Sequence, residues 1–415
     1  MVGPSFSSIG AITAGATLLQ GANGLLQALL PLRIQAEGLS ITAIGVVATA
    51  YGFGFAAGCF LAPLLIRHVG HIRAFVSLAA IAAVVALAFS GAEALLVWCL
   101  LRGLSGMTLA GLFTVIDGWV SAQATSTHRG RILSVYMICT KLALMISPLG
   151  LGLGSVAADG LFMAIAAMMC LSLLPLSATT TREPAPPSTV KVDVPALFRV
   201  APSAAIGAFI VGLVNGPVVA VASVFGVTIG LSTEQAAGLL FAMQAGSLLM
   251  QWPLGWLSDH TDRRYVIGGL AAGTALISAF ILWASAQDSP YLVIGAFALW
   301  GGTALCIYSV CIAHACDLVE PNQIVPTVSS LLVCWAAGVT LGPIPGAAMM
   351  DWVGPQGLFI YAGVMALGLT AFISVRILSL RRAPARGGFV DLSPTSAATA
   401  NLRLREDLPA EDKAA

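Results

Sequence analysis

The side chains able to hold a small molecule sit inside apolar runs. Gln20, Asn23 and Gln27 lie at i, i+3 and i+7, a spacing that places all three on one face of a helix. Asn215, Gln244, Trp300, Tyr308 and Trp335 interrupt later apolar runs, and Arg102 and Lys141 are the two cations that fall within such runs. Amides give and accept hydrogen bonds, aromatic rings stack, and a cation attracts an acid. This is chemistry of recognition, suited to a neutral or anionic polar solute with a flat ring. No nucleophile–base arrangement, phosphate loop or metal box accompanies it, and the GxG patterns lie in apolar runs as packing glycines. Neither an enzyme nor a cofactor is expected. The eight cysteines form no CxxC pair, and Cys306, Cys311, His314 and Cys316 share an apolar run in which cysteine serves as a small buried residue, so no metal is expected either.

The elements that position these groups follow from composition. Of the 415 residues, 58% are hydrophobic and only 9% charged, against about 25% charged in a soluble globular domain. The solvent that suits such a chain is lipid, where each spanning helix takes roughly 20 apolar residues. Apolar runs separated by charged or Pro/Gly/Asp breaks predict twelve spans, near 8–33, 41–66, 74–91, 94–120, 132–156, 160–179, 201–224, 234–257, 265–285, 290–313, 324–350 and 357–379. The chain is thus expected to be an all-α integral membrane protein: a six-helix half over 1–178, a cytoplasmic linker over 179–200, a second six-helix half over 201–380 and a disordered tail over 381–415. The first span is expected to stay in the mature protein, because MVGPSFSSIG has no basic leader region.

Cations set the orientation. With both termini inside, Arg67, Arg73, Arg129, Arg131, Arg182, Lys191, Arg199, Arg263 and Arg264 all fall in inner loops, as do the seven basic residues from Arg376 to Lys413. The outer loops hold Arg33 alone, among the acids Glu37, Glu93, Asp159, Glu234, Asp288 and Asp351. By the positive-inside rule both termini are cytoplasmic. A net charge of +1 gives nucleic acid no basic face to bind.

The chain also repeats itself. Asn23-Gly24 recurs as Asn215-Gly216, Gly38-Leu39-Ser40 as Gly230-Leu231-Ser232, and Gly54 as Gly246, all at an offset of 192; Pro148 pairs with Pro343 farther on. Two halves in the same orientation are implied.

The loop Gly255–Arg264, with Gly255, Leu257, Asp259, Arg263 and Arg264, resembles the GxLxDRxGRR signature of the major facilitator superfamily. The first-half loop Pro63–Arg73 keeps glycine and basic residues but carries Arg67 where the acid belongs. Arg102 and Gly106 are similar to the family's RxxxG element. Asp117 followed by Arg129, Arg131 and Tyr136, the run Gln251–Gly255 and the run Ala313–Glu320 resemble the YcaD-like branch. The resemblance covers residues 8–380 and implies a fold whose central cavity is lined by the first and fourth helices of each half. Gln20, Asn23, Gln27, Arg102, Lys141, Asn215, Gln244, Trp300, Tyr308 and Trp335, as polar, charged or aromatic residues within the spans, are the expected substrate-binding residues. Asp117, Arg129, Arg131, Asp259, Arg263 and Arg264 are implied as gating or latch residues. Gly338, Gly342, Pro343 and Gly346 resemble the GxxxGPxxG element of antiporters, with helix packing as the other reading. Trp98, Trp119, Trp252, Trp256 and Trp352, near span ends, are expected in interfacial belts.

The expected function is secondary active transport of a small organic solute by alternating access, as symporter or antiporter, in a bacterial inner membrane. The expected protein is a monomer with protons as the coupling ion. The spans hold no central carboxylate, which favours uptake of a nutrient or vitamin, riboflavin among the candidates. Proton-coupled efflux of drug-like compounds is the alternative, favoured by the antiporter-like element.

Overall fold

The computed structural model describes residues 6–123, 129–177, 192–287 and 289–379. Within them the chain forms twelve helical spans. These are α1 (Phe6–Ala36), α2 (Ile41–Val69), α3 (His71–Ala88), α4 (Leu95–Gln123), α5 (Arg129–Ile146, extended by a tighter turn over Ser147–Leu153), α6 (Gly160–Leu171), α7 (Pro202–Thr228), α8 (Thr233–His260), α9 (Arg263–Ala284), α10 (Pro290–Ala304, resuming over Ile307–Cys316), α11 (Ile324–Leu341, resuming over Pro343–Val353) and α12 (Gly357–Ser379). Eleven coincide with the expected spans to within a few residues; α6 breaks at Ser172 and resumes over Leu173–Ser177, inside the expected 160–179. Nine stretches are by themselves long and apolar enough to cross a membrane. The short α6, with α1 and α8, whose apolar runs are broken by Gln20, Asn23 and Gln27 and by Gln244 and Gln251, completes the twelve. Most of the expected linker and the whole expected tail lie outside the described residues; the linker's last stretch carries a short helix, Val194–Val200, capped by Asp193 through a 2.8 Å bond from the Ala196 amide.

Packing sorts the described residues into two compact units. One takes residues up to 29 and those from 50 to 177; the other takes 30–49 and those from 192 to 379. In the first unit α3 packs on α4 and α6, and Phe89 stacks between Trp98 (5.6 Å) and Phe162 (6.2 Å). In the second, α7 packs on α11, α8 on α10 and α9 on α12, around Phe225, Phe297 and Phe359, whose ring centroids lie 5.1–5.8 Å apart.

The sequence repeat is a repeat of physical devices. Gly38 and Gly230 end their helices at φ 79° and 92°, a region open to residues without Cβ. Leu39 and Leu231 then return amides to Ile34 and Gly226, and Ser40 and Ser232 cap the next helix by accepting from Ala43 and Gln235, 3.2 Å each. Deeper in, a Cβ on Gly54 would overlap the Gly103 carbonyl, and one on Gly106 the Tyr51 carbonyl, so α2 and α4 meet backbone to backbone. The second unit repeats this joint: Gly246 lies against the Ala298 carbonyl and Gly301 against the Met243 carbonyl.

Candidate functional site

In the first unit, the three α1 amides form the face their spacing predicts. Asn23 Nδ2 donates to Gln20 Oε1 (3.4 Å) and Gln27 Nε2 to Asn23 Oδ1 (3.3 Å). Gln20 and Asn23 are buried, while Gln27 at the end of the ladder is half-buried. Gly24 seats α1 directly against Leu144 at the end of α5 and Ser147 at the start of its extension. Lys141 lies half-buried on α5.

Arg102 is buried on α4, with its guanidinium carbon 4.4 Å from the centre of the Tyr51 ring. Nη1 is enclosed without a hydrogen-bond partner among the described residues. A cation at such depth costs about 2.5–3.5 kcal/mol to insert, and a ring face returns about 0.5–2 kcal/mol. The tyrosine alone therefore does not offset the charge. Tyr51 is not among the site residues that the sequence motifs single out; the ring contact with Arg102 is what marks it.

In the second unit, Asn215 on α7 reaches the interruption of α10, where its Nδ2 donates to the Ala304 carbonyl at 3.4 Å. That carbonyl lies at the last turn before the break, where intrahelical acceptors go unused. The Asn215 Oδ1 is buried with no partner among the described residues, an arrangement that costs about 1–3 kcal/mol unless a donor arrives. Tyr308, just past the same break, pairs with the half-buried Trp335 of α11 (centroids 5.5 Å, 41° tilt). Gly212 seats α7 against the Trp335 carbonyl. Asn215, Tyr308 and Trp335 are thus held on three mutually packed elements. Gln244 is half-buried on α8. Trp300 stands apart: its ring is fully enclosed, its Nε1 donates to Ser278 Oγ at 3.1 Å, and it packs edge-on against Phe359. Its role in the structure is packing.

The residues expected to form a latch are ion-paired, in part with a different acid. Arg263, at the start of α9, grips Asp317 at the end of α10 with Nε (2.7 Å) and Nη2 (3.3 Å), and donates from Nη1 to Ser258 Oγ (3.2 Å). Asp259, the acid that the signature singles out, is a third exposed and stands 3.5 Å from Arg263. The principal partner is Asp317 because its carboxylate offers both oxygens to the guanidinium fork; its place in the Ala313–Glu320 run was the available signal. Arg264 pairs with Asp262 at 2.7 Å. Burial raises the Asp262 carboxyl's pKa, but the hydrogen bonds and charge of Arg264 outweigh it and hold the group below its usual range. In the first unit Asp117 accepts from the Tyr136 hydroxyl at 3.1 Å. The side chains of Arg129 and Arg131 lie outside the described ones.

Two tryptophans depart from expectation. Trp98 and Trp119 are buried in the first unit, against Phe89 and His71, rather than placed at an interface. Trp252, Trp256 and Trp352 are exposed as expected. The antiporter-like glycines of α11 are packing residues: Gly338 lies against the Phe209 carbonyl, Gly342 against that of Leu213, and Gly346 against Pro217, all on α7.

The family model described as Major Facilitator Superfamily matches residues 12–309 and 204–405. Among curated relatives, proteins named uncharacterized MFS-type transporter YcaD from Shigella flexneri serotype 5b (strain 8401) and Escherichia coli O139:H28 (strain E24377A / ETEC) are each 24% identical over 351 residues, covering 84% of this chain and 90% of theirs. Among solved structures, the nucleoside transporter NupG superposes with a TM-score of 0.76 at 13% identity, covering 89% of this chain and 98% of that one. A bacterial homologue of the human lysosomal transporter Spinster gives 0.73 at 17% identity, covering 91% and 98%.

Proposed function

The chain belongs to the major facilitator superfamily, is a membrane transporter of a small-molecule solute and not an enzyme, and on that premise we propose that it takes up a small organic nutrient or vitamin. The solute is polar, carries a flat ring and is neutral or anionic. The observation that carries this reading is the polar lining of each unit: the Gln20–Asn23–Gln27 ladder in one, and in the other Asn215, with its unmet Oδ1, on a helix packed against the elements that bear the Tyr308–Trp335 ring pair. An amide that lacks a donor welcomes a solute N–H or O–H, and two tilted rings suit a planar body. Within the spans the chain has no central Asp or Glu that would neutralise a cationic drug. The glycine–proline element that speaks for efflux is occupied with α7 packing. Alternating access, protons as the coupling ion, a monomeric state and cytoplasmic termini in a bacterial inner membrane complete the proposal; the loop-cation asymmetry supports the orientation.

The test is thermal unfolding of the purified protein in detergent against vitamins (riboflavin included), organic anions, sugars and lipophilic cations. A solute at 100 times its dissociation constant adds about 2.7 kcal/mol of stability. Stabilisation by one chemically narrow class of neutral or anionic ring compounds is expected. Stabilisation scattered over unrelated lipophilic cations would overturn uptake in favour of efflux.

A further inference from the structure

The turn that joins α5 to α6 leaves a groove where the corresponding turn of the second unit is filled. A cavity of about 670 Å³ opens between α1, the Ser147–Leu153 extension of α5 and α6. Leu25 and Leu161 are buried beneath it, while Leu149, Leu153 and Ala164 are exposed along it. Protein interiors hold few voids larger than a water molecule, and this one has the size of a small-molecule pocket, about 300–1,000 Å³.

The repeat shows that the fold does not force the gap. Counted from the paired Gly160 and Gly357, Ala164 takes the place of Tyr361; counted from Asn23 and Asn215, Leu25 takes the place of Pro217. In the second unit these residues close the corner. A Cβ on Gly346 of the α11 extension would overlap Pro217 and stand 3.5 Å from the buried Tyr361 ring, and one on Gly357 would overlap the Met349 carbonyl. In the first unit a Cβ on Gly160 meets open space. Two changes account for the difference. Alanine stands for tyrosine, and Gly160 follows Pro148 by 12 residues where Gly357 follows Pro343 by 14.

The surroundings of the groove name its occupant. None of the side chains that line it is charged. It runs from the α5–α6 turn to Met168, about 12 Å along α6 from Gly160. The Ile132–Leu153 stretch on its other side is long and apolar enough to cross a membrane, so the exposed rim lies at the depth of the hydrocarbon. At the mouth, Ala158 and Gly160 flank the exposed Asp159, and residues 142–177 hold no lysine or arginine beside this acid. Glu93, also exposed, belongs to the same end, where Phe89 stacks on Phe162. Acids without a base repel an anionic lipid head and attract an ammonium.

We propose that this groove seats one resident phospholipid, its acyl chain laid between the α5 extension and α6 and its zwitterionic, amine-bearing head beside Asp159. The lipid completes in the first unit the corner that Tyr361 completes in the second. This rests on the membrane assignment alone and is independent of the solute carried.

The test uses the full-length protein from a bacterial membrane that contains both phosphatidylethanolamine and phosphatidylglycerol. Ala164→Tyr installs the residue of the other unit; Met163→Tyr, at an exposed α6 position outside the groove, is the control. Native mass spectrometry from dodecyl maltoside is expected to find one phosphatidylethanolamine on the wild type and on Met163→Tyr, and at least tenfold less on Ala164→Tyr. After delipidation, dioleoylphosphatidylethanolamine should raise the melting temperature of the wild type and leave that of Ala164→Tyr unmoved. A third measurement uses the wild type only, so it decides the question even where the variant misfolds. In proteoliposomes, phosphatidylethanolamine with a diazirine in its acyl chain should label Leu149 and Met168 at least tenfold more than Leu96 and Leu100, which are exposed on α4.

Four results overturn the proposal. Equal lipid retention by wild type and Ala164→Tyr, or even labelling of α4 and the groove, removes the site. Retention of phosphatidylglycerol in place of phosphatidylethanolamine refutes the charge match at Asp159. A dimer abolished by Ala164→Tyr gives the groove to a second copy of the chain. A transported solute that displaces the lipid gives it to the solute.

Discussion

Replacing Asp317 by alanine should cost far more than the same change at Asp259, the acid that the family signature points to. The structure sets the difference. Arg263 is 2% exposed and Asp317 7%, and the two share bonds of 2.7 and 3.3 Å. Removing Asp317 takes both of these bonds from an enclosed guanidinium, which keeps its bond to the Ser258 hydroxyl and the more distant Asp259. Breaking a buried pair from one side costs about 3–5 kcal/mol, because the remaining charge stays desolvated. Asp259, 35% exposed and 3.5 Å away, makes a contact worth about 0–1 kcal/mol. Equilibrium unfolding in mixed dodecyl maltoside–SDS micelles, followed by tryptophan fluorescence, measures both. The double variant Arg263→Met/Asp317→Leu should recover most of the Asp317→Ala loss, since an apolar pair of similar volume removes both desolvated charges. In transport assays Asp317→Ala should slow turnover more than it weakens solute binding, as expected of a latch at the junction of α8, α9 and α10. Equal costs at the two aspartates, or a larger cost at Asp259, would refute the assignment of Asp317 as principal partner.

Three further outcomes follow from the same geometry. Gly54→Val and Gly246→Val should each lower stability by about 1–3 kcal/mol or more, or block insertion, because the added carbons meet carbonyls of the facing helix; Gly269→Ala, with open space at its Cβ, is the control, and stable valine variants would refute the joint. Asn23→Ala and Asn215→Ala should cut solute uptake at least tenfold with unchanged membrane insertion, and wild-type flux in either removes that residue from the site. Asp262 has its carboxyl depressed below the usual 3.8 by Arg264, so its stabilising contribution is present above that value and is lost as pH falls through the lower folded value. Asp262→Asn should therefore flatten the acid limb of the stability curve below pH 3.8, and an acid limb parallel to that of the wild type would count against the pairing.

The helices were legible because lipid imposes a length and a composition on every span. The repeat was legible because turns and joints need particular residues: Gly38 and Gly230 for a positive φ, Ser40 and Ser232 for caps, Gly54 and Gly246 for close approach. What the pattern could not convey is which of two plausible partners a side chain takes. Asp259 and Asp317 are both acids beside Arg263, and only the course of α10 decides that Asp317 meets the fork. Trp98 and Trp119 look like belt residues by their place near span ends, yet α3 and the turn at Phe89 cover them. Trp300 stands in an apolar run as a binding residue would, but Ser278 on the preceding span α9 takes its N–H.

Recognition chemistry was the least legible because a polar residue in a span has the same identity whether its hydrogen bonds are filled or waiting. The α1 ladder supplies each amide with a neighbour at i+3 or i+4, so its stripe is partly self-satisfied before any solute arrives. Asn215 differs from its repeat partner Asn23 in this respect: its donor is taken by a carbonyl at a helix break, and its acceptor has no partner among the described residues. The repeat thus places one amide in each unit at corresponding positions but gives them unequal hydrogen-bonding needs. Where duplicated halves keep their packing glycines and differ in the side chains those joints carry, packing no longer explains the difference. Unequal hydrogen-bonding needs at repeat-related positions, as at Asn23 and Asn215, are therefore where selection for a solute, rather than for a fold, should be sought.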